Sequence, residues 1–118
     1  MDRVMRAGLA DMLERMPKKI TLTAAAPTYQ MKPGDYVLSV ISSADDAAGI
    51  VTLPSLAEAC GHFYYIEAPT GAAGGDISLY EKETGAEYTT YGDLDADGDY
   101  VMLFAGPTAW RLVVDGVA

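Results

Sequence analysis

After Pro17 the hydrophobic period of the chain becomes two, and this limits the fold more than any other feature. Ile20 and Leu22 alternate with Thr21 and Thr23. Short apolar runs then recur at 35–42 (DYVLSVIS), 49–53 (GIVTL), 62–68 (HFYYIEA), 76–81 (DISLYE), 86–91 (AEYTTY), 99–105 (DYVMLFA) and 109–116 (AWRLVVDG). Successive side chains of a strand point to opposite faces, so such runs read as strands. Turn residues rich in Gly, Pro, Asp and Thr separate them at the spacing of a small sandwich or barrel. The expected fold is mainly β: a small β-sandwich or barrel with an N-terminal helix and extended arm. Residues 28–35 (TYQMKPGD) read as a loop with a Pro33-Gly34 turn. One stretch, PSLAEACG, reads as a helical turn over 56–60. There Ser55 and Glu58 have capping-box spacing, and Gly61 fits the position just past the C-terminus. No internal repeat stands out.

The N-terminal segment has a different period. Met5, Leu9, Met12, Leu13 and Met16 form one apolar stripe at helical spacing. Asp2 with Arg6, and Asp11 with Arg15, are i,i+4 pairs of helpful orientation. Pro17 ends the helix, because the residue before a proline avoids the α region. Adaptable methionines suit a docking surface, although such a stripe equally suits ordinary core packing. The segment lacks a continuous apolar stretch and a small-residue cleavage site, so no secretion signal is expected.

Charge divides along the same line. The net charge is −9, yet residues 1–32 carry six basic and three acidic residues, a net +3. Residues 33–118 carry two basic and fourteen acidic residues, a net −12. So acidic a body argues against nucleic acid as a partner, since phosphate contacts need clustered Lys and Arg. The complementary halves suggest that a basic arm docks on an acidic protein surface, including that of a neighbouring copy. The division expected is a helix and basic arm over 1–34 and an acidic β domain over 35–118. The candidate docking residues are Met5, Leu9, Met12, Leu13 and Met16, with Arg15, Lys18 and Lys19 as the cations. The longest apolar runs fall far short of the ~20 residues a membrane helix needs, so no membrane is expected. A single cysteine, Cys60, allows no intrachain disulfide, which suits synthesis in a reducing cytoplasm.

Chemistry-bearing motifs are few. In DLDADG, Asp93, Asp95 and Asp97 occupy positions 1, 3 and 5 of a calcium-loop pattern, with Gly98 at position 6. Position 12 is Phe104, where an EF-hand needs a bidentate Glu, and no helical pattern flanks the loop. The competing reading is an acidic turn feeding a strand, and the pattern favours it. His62 is the lone histidine, and with Cys60 it cannot complete a zinc site from one chain. With seventeen carboxylates some close pair is inevitable, so a glycosidase pair carries little signal. Neither a dinucleotide nor a P-loop motif is present. No catalytic residues and no cofactor are expected. Eight tyrosines and Trp110 invite a sugar-binding reading, but Tyr64, Tyr65, Tyr80, Tyr88, Tyr91 and Tyr100 all lie on expected strands, where aromatics pack well.

Residues 49 to 114 resemble a β module that recurs in surface proteins of tailed-phage virions. The features carrying the resemblance are Leu53-Pro54, Ser55, Glu58, Gly61, Tyr64, Gly98-Asp99 and Trp110. Such modules occur in head-decoration proteins, head fibres and tail-fibre or baseplate pieces. The resemblance implies a β-rich fold, no catalysis and usually a homotrimer. It makes the expected function that of a capsid decoration, or cement, protein on the virion surface, with the major capsid protein and copies of itself as partners. The alternative is a receptor- or glycan-binding module of a tail or head fibre.

Overall fold

Two sheets share one core, and the chain passes back and forth between them. The computed structural model describes residues 18–23, 25–42, 49–68, 77–88, 94 and 98–117. Among these, the period-two segments form β1 (Lys18–Leu22), β2 (Thr28–Gln30), β3 (Val37–Ser42), β4 (Gly49–Thr52), β5 (Phe63–Ala68), β6 (Ile77–Tyr80), β7 (Asp99–Ala105) and β8 (Trp110–Asp115). The helical turn α1 (Leu56–Ala59) lies between β4 and β5. The fold is mainly β, as expected. The expected N-terminal helix lies outside the described residues.

The five-stranded sheet runs β1-β3-β5-β7-β8 and the three-stranded sheet β2-β4-β6. β1, β3 and β5 therefore enter one sheet and β2, β4 and β6 the other. Because the chain visits the second sheet between successive strands of the first, β1, β3 and β5 pair parallel. The same holds for β2, β4 and β6. This is a coiled winding of three turns, as in a short solenoid. Parallel neighbours need a crossover, and here the opposite sheet supplies it. Pairing Lys18 with Leu38 and Val37 with Tyr65 gives register offsets of 20 and 28 residues in the larger sheet. In the smaller sheet the pairs Thr28–Ile50 and Gly49–Ile77 give 22 and 28. Unequal turns of the coil leave no sequence repeat to detect. β7 and β8 close the larger sheet as an antiparallel pair whose register shifts between Met102 and Leu103.

Inward positions of both sheets form a single cluster. It includes Leu22, Leu38, Val40, Tyr64, Ile66, Val101 and Leu103 from the larger sheet, and Val51, Ile77 and Leu79 from the smaller. Tyr64 is fully buried, and its hydroxyl donates to the Pro33 carbonyl at 2.6 Å. Its ring meets Trp110 edge-on at 5.5 Å and Tyr36 at 5.5 Å. Gly49 lies close under β1, since a Cβ there would sit 2.6 Å from Leu22 Cδ1. Asp35 is buried and organises the first turn of the coil. It accepts from the Tyr29 hydroxyl at 2.6 Å and the Lys32 amide at 2.9 Å, and it faces Lys18 Nζ at 3.7 Å. The Tyr29 hydroxyl is pushed above its ordinary pKa by burial and by the Asp35 carboxylate.

Of the strand expected over 86–91, residues 89–91 lie outside the described residues; within 86–88, Glu87 bridges to Tyr80 and the Tyr88 amide donates to the Leu79 carbonyl at 2.8 Å. Residues 28–35 are not all loop, because Thr28–Gln30 forms β2 beside β4. Nor do the sheets follow a boundary at residue 34. Residues 18–34, assigned to the arm, supply β1 to one sheet and β2 to the other. Leu22 and Met31 are each only 2% exposed, so their burial binds this segment to the body.

The helical turn also differs from its expected capping. Ser55 occupies the N-cap position in extended conformation, but its side chain makes no capping bond. Instead the Leu56 amide donates to a Glu83 carboxylate oxygen from the connection after β6. Gly61, at φ +89°, ends the turn as expected. Ser55→Ala should therefore change stability by no more than a few tenths of a kcal/mol. Glu83→Ala should cost about 0.5–1.5 kcal/mol, as for a lost cap. Urea unfolding of the two variants checks this, and a larger loss for Ser55→Ala would contradict the assignment.

Candidate functional site

The register of the larger sheet determines which side chains share its outer face. Phe63 pairs with Phe104, Tyr65 with Met102, and Glu67 with Tyr100. Val37 and Ser39 pair with Tyr65 and Glu67 on one side, and Met102 pairs with Val114 on the other. Directly paired residues point to the same face. The outer face therefore carries Val37, Phe63, Tyr65, Met102, Phe104 and Val114, together with Ser39, Glu67, Tyr100 and the exposed Arg111, which pairs with Phe104. A sheet with one solvated face ordinarily alternates apolar inward and polar outward. Here β5 and β7 instead place aromatics and methionine outward, each half-buried.

These side chains form an ordered surface. The Phe63 and Phe104 rings lie 4.9 Å apart, and Tyr65 stacks on Tyr100 at 5.6 Å with 27° between planes. Val113, at the register shift, and Val114 are the large hydrophobics most exposed among the described residues, at 47% and 39%. Tyr100 is held by the backbone below it: the Gly116 amide donates to the Tyr100 carbonyl at 2.9 Å. A Cβ on Gly116 would fall 2.2 Å from the Tyr100 ring, so only glycine admits the ring there. The face also carries Glu67, which among the described residues meets only the Tyr65 hydroxyl, at 3.4 Å. The Tyr65 hydroxyl is pushed above its ordinary pKa by burial and by Glu67. Such a face can bury apolar area against another protein surface, and it presents one acid, Glu67, and one base, Arg111.

The structure divides the sequence-derived candidates. Met5, Leu9, Met12, Leu13, Met16 and Arg15 lie outside the described residues, as do Asp93, Asp95 and Asp97. Lys18 is engaged internally: besides Asp35, its Nζ lies 5.2 Å from the Tyr29 ring centroid. Lys19 pairs with Ser39, which puts it at the edge of the outer face, exposed. Around the acidic loop, Leu94 is buried and bridges to Ile77, and Gly98 adopts φ +82° before donating to the Ala68 carbonyl at 2.9 Å. Leu94 and Gly98 are thus each held by backbone bonds, and the pattern lacks the position-12 carboxylate. Millimolar calcium should therefore raise the melting temperature no more than matched ionic strength does. A calcium-specific rise of several degrees, removed by Asp93→Ala or Asp97→Ala, would contradict this.

Tyr64 and Tyr88 are core residues, Tyr65 and Tyr100 belong to the outer face, and Tyr91 is outside the described residues. Cys60 and His62 are exposed beside α1, with the His62 ring 5.2 Å from Tyr36. Among the described residues no three His, Cys, Asp or Glu side chains cluster as metal ligands. Among them, too, no helix is long and apolar enough to cross a membrane. The sequence reading missed the outer face as a unit, although its signal was present. FYYIEA and DYVMLFA are apolar almost throughout, unlike the alternation of a sheet with one solvated face.

Fold and face together define a small two-sheet β domain with an aromatic outer face. No family model matches the chain, and neither the curated proteins nor the solved structures contain a significant match.

Proposed function

We propose that this chain is a structural protein of a tailed-phage particle: a decoration protein that binds the assembled head and stabilises it, rather than an enzyme. The observation carrying this reading is the outer face built from Phe63, Tyr65, Met102, Phe104 and Val114, a surface suited to cover by protein. The resemblance of residues 49–114 to virion surface modules supports it. In this reading the partners are the major capsid protein and further copies of the chain. Protein that binds only the assembled shell stabilises it by mass action, because opening the lattice must also break those contacts. The exposed acids keep a dense array of copies from adhering to one another, and the cations Arg15 and Lys19 meet the lattice.

A second reading is a fibre module that binds a glycan or receptor. It is favoured by the stacked Tyr65 and Tyr100 rings, which offer a flat aromatic platform. Co-sedimentation with purified heads lacking the protein separates the readings. A decoration protein saturates the heads in fixed ratio to capsid subunits, and binding weakens with salt because exposed charges are screened over ~8 Å at physiological ionic strength. Absence of head binding, with binding to host-cell glycans instead, would favour the fibre reading.

A further inference from the structure

We infer that two copies of the chain pair face to face through the outer face of the larger sheet, about a twofold axis beside Met102, with Glu67 of each copy meeting Arg111 of the other. This goes beyond the preceding reading, because it concerns the free protein before any head is met. It is tested on free protein, so its failure and a failure of head binding are separate results.

The first ground is the placement of the two charges. Glu67 on β5 pairs with Tyr100 of β7, and Arg111 on β8 pairs with Phe104 of β7. They therefore stand on opposite sides of β7, displaced along it, with Met102 midway between Tyr100 and Phe104. The separation is about 10 Å across the strands and about 14 Å along them, too far for the two to pair within one copy. Among the described residues Arg111 meets no carboxylate, and Glu67 has only the contact to the Tyr65 hydroxyl at 3.4 Å. Laid against the same face of a second copy, each charge can find its counterpart. A twofold axis lying between the two sheets and bisecting the line from Glu67 to Arg111 brings both pairs together at once. Met102, at the midpoint of that line, then packs on its own equivalent. A twofold interface is self-complementary in this sense, since the same patch serves on both copies.

The second ground is what lies between the charges. Phe63, Tyr65, Met102 and Phe104 are half-buried although they point outward, and Val114 is 39% exposed. An apolar centre with charges at its corners is the ordinary anatomy of a protein interface. The chain as a whole carries −9, so two copies repel over most of their surface. On this face, among the described residues, the register places one acid, Glu67, with Arg111 and, at the edge, Lys19. A second acidic copy can approach here without meeting an excess of negative charge. From β3 to β8 the face spans about 14 Å, at ~4.8 Å between strands. A patch of that width belongs to the low end of interface sizes, below about 1,200 Å² in total, so the pair is reversible and forms in concentrated protein.

The test uses the full chain with Cys60→Ser, which removes the exposed thiol. By light scattering at hundreds of micromolar its mass should be that of two chains, falling to one on dilution. Glu67→Arg alone and Arg111→Glu alone should each weaken association about tenfold or more, because like charges then face each other at both pairs. Mixed in equal amounts, these two variants should associate as well as the unmodified chain, each supplying the charge the other lacks. Gln30→Arg, in the other sheet, should leave association unchanged. Circular dichroism checks that every variant keeps its fold. An unmodified chain monomeric at hundreds of micromolar, an assembly of three copies such as the resemblance implies, or a mixture no more associated than its two components would each overturn the inference.

Discussion

A chain beginning at Lys32 is expected to lose the native fold, whereas one beginning at Lys18 keeps it. The shorter chain lacks β1 and β2, one strand from each sheet. With them go Leu22 and Met31, each almost wholly buried, and the partly buried Ile20 and Tyr29. Removing one buried Leu or Met side chain alone costs about 2–5 kcal/mol. Two such losses, with Asp35 deprived of Tyr29 and Lys18, reach the whole stability of an ordinary domain, about 5–15 kcal/mol. Circular dichroism and thermal melting decide the matter. The chain from Lys32 should show no cooperative transition, and one within a few degrees of the full chain would show that the coil does not depend on its first turn.

Tyr64→Ala is the single substitution expected to cost most, about 3–5 kcal/mol, as for other large-to-small changes at buried aromatics. The ring fills the centre of the core between Tyr36 and Trp110. Tyr64→Phe keeps the ring and removes only the bond to the Pro33 carbonyl, so about 1 kcal/mol should be lost. The two variants separate ring from hydroxyl in a urea titration, and equal losses would contradict the packing described. The same hydroxyl sets the response to alkali. Burial pushes its pKa well above the ordinary tyrosine value of 10.0, with Tyr36 and Asp35 nearby adding to the shift. Below pH ~10 both folded and unfolded chains hold the proton and stability is unaffected. Above it the unfolded chain releases the proton first, so stability falls as pH rises. Tyr64→Phe should make that fall shallower.

Much of the fold was legible in the sequence because local rules dominate where strands alternate cleanly. Residues 99–105 become β7 with the bounds the alternation suggests, and Gly98 and Gly61 take the positive φ that their turns require. Legibility failed where distant contacts decide. β2 has three residues next to a Pro-Gly turn, and only its pairing with β4 makes it a strand. The spacing suggested a sandwich or barrel, and nothing local showed that the chain alternates between sheets and pairs its strands parallel. Ser55 and Glu58 have capping-box spacing, but Glu83, far along the chain, takes the Leu56 amide. Charge composition likewise set a boundary at residue 34 that burial of Leu22 and Met31 does not respect.

The outer face belongs to both categories. That β5 and β7 are apolar on two sides was visible in FYYIEA and DYVMLFA. That Phe63 meets Phe104 and Tyr65 stacks on Tyr100 follows only from the antiparallel register. The acidic loop gave the more familiar motif, but of its residues only Leu94, packed inward, and Gly98, bonded to Ala68, are described. The three aspartates form a motif, whereas the side chains of the outer face form none.

The decoration reading stands or falls on where the chain sits in purified particles. Heads and tails separated from intact virions should divide unequally: the chain is predicted in the head fraction, in fixed ratio to the major capsid protein, and released by high salt before the shell dissociates. Its recovery with tails or fibres, or its absence from particles, would contradict the account.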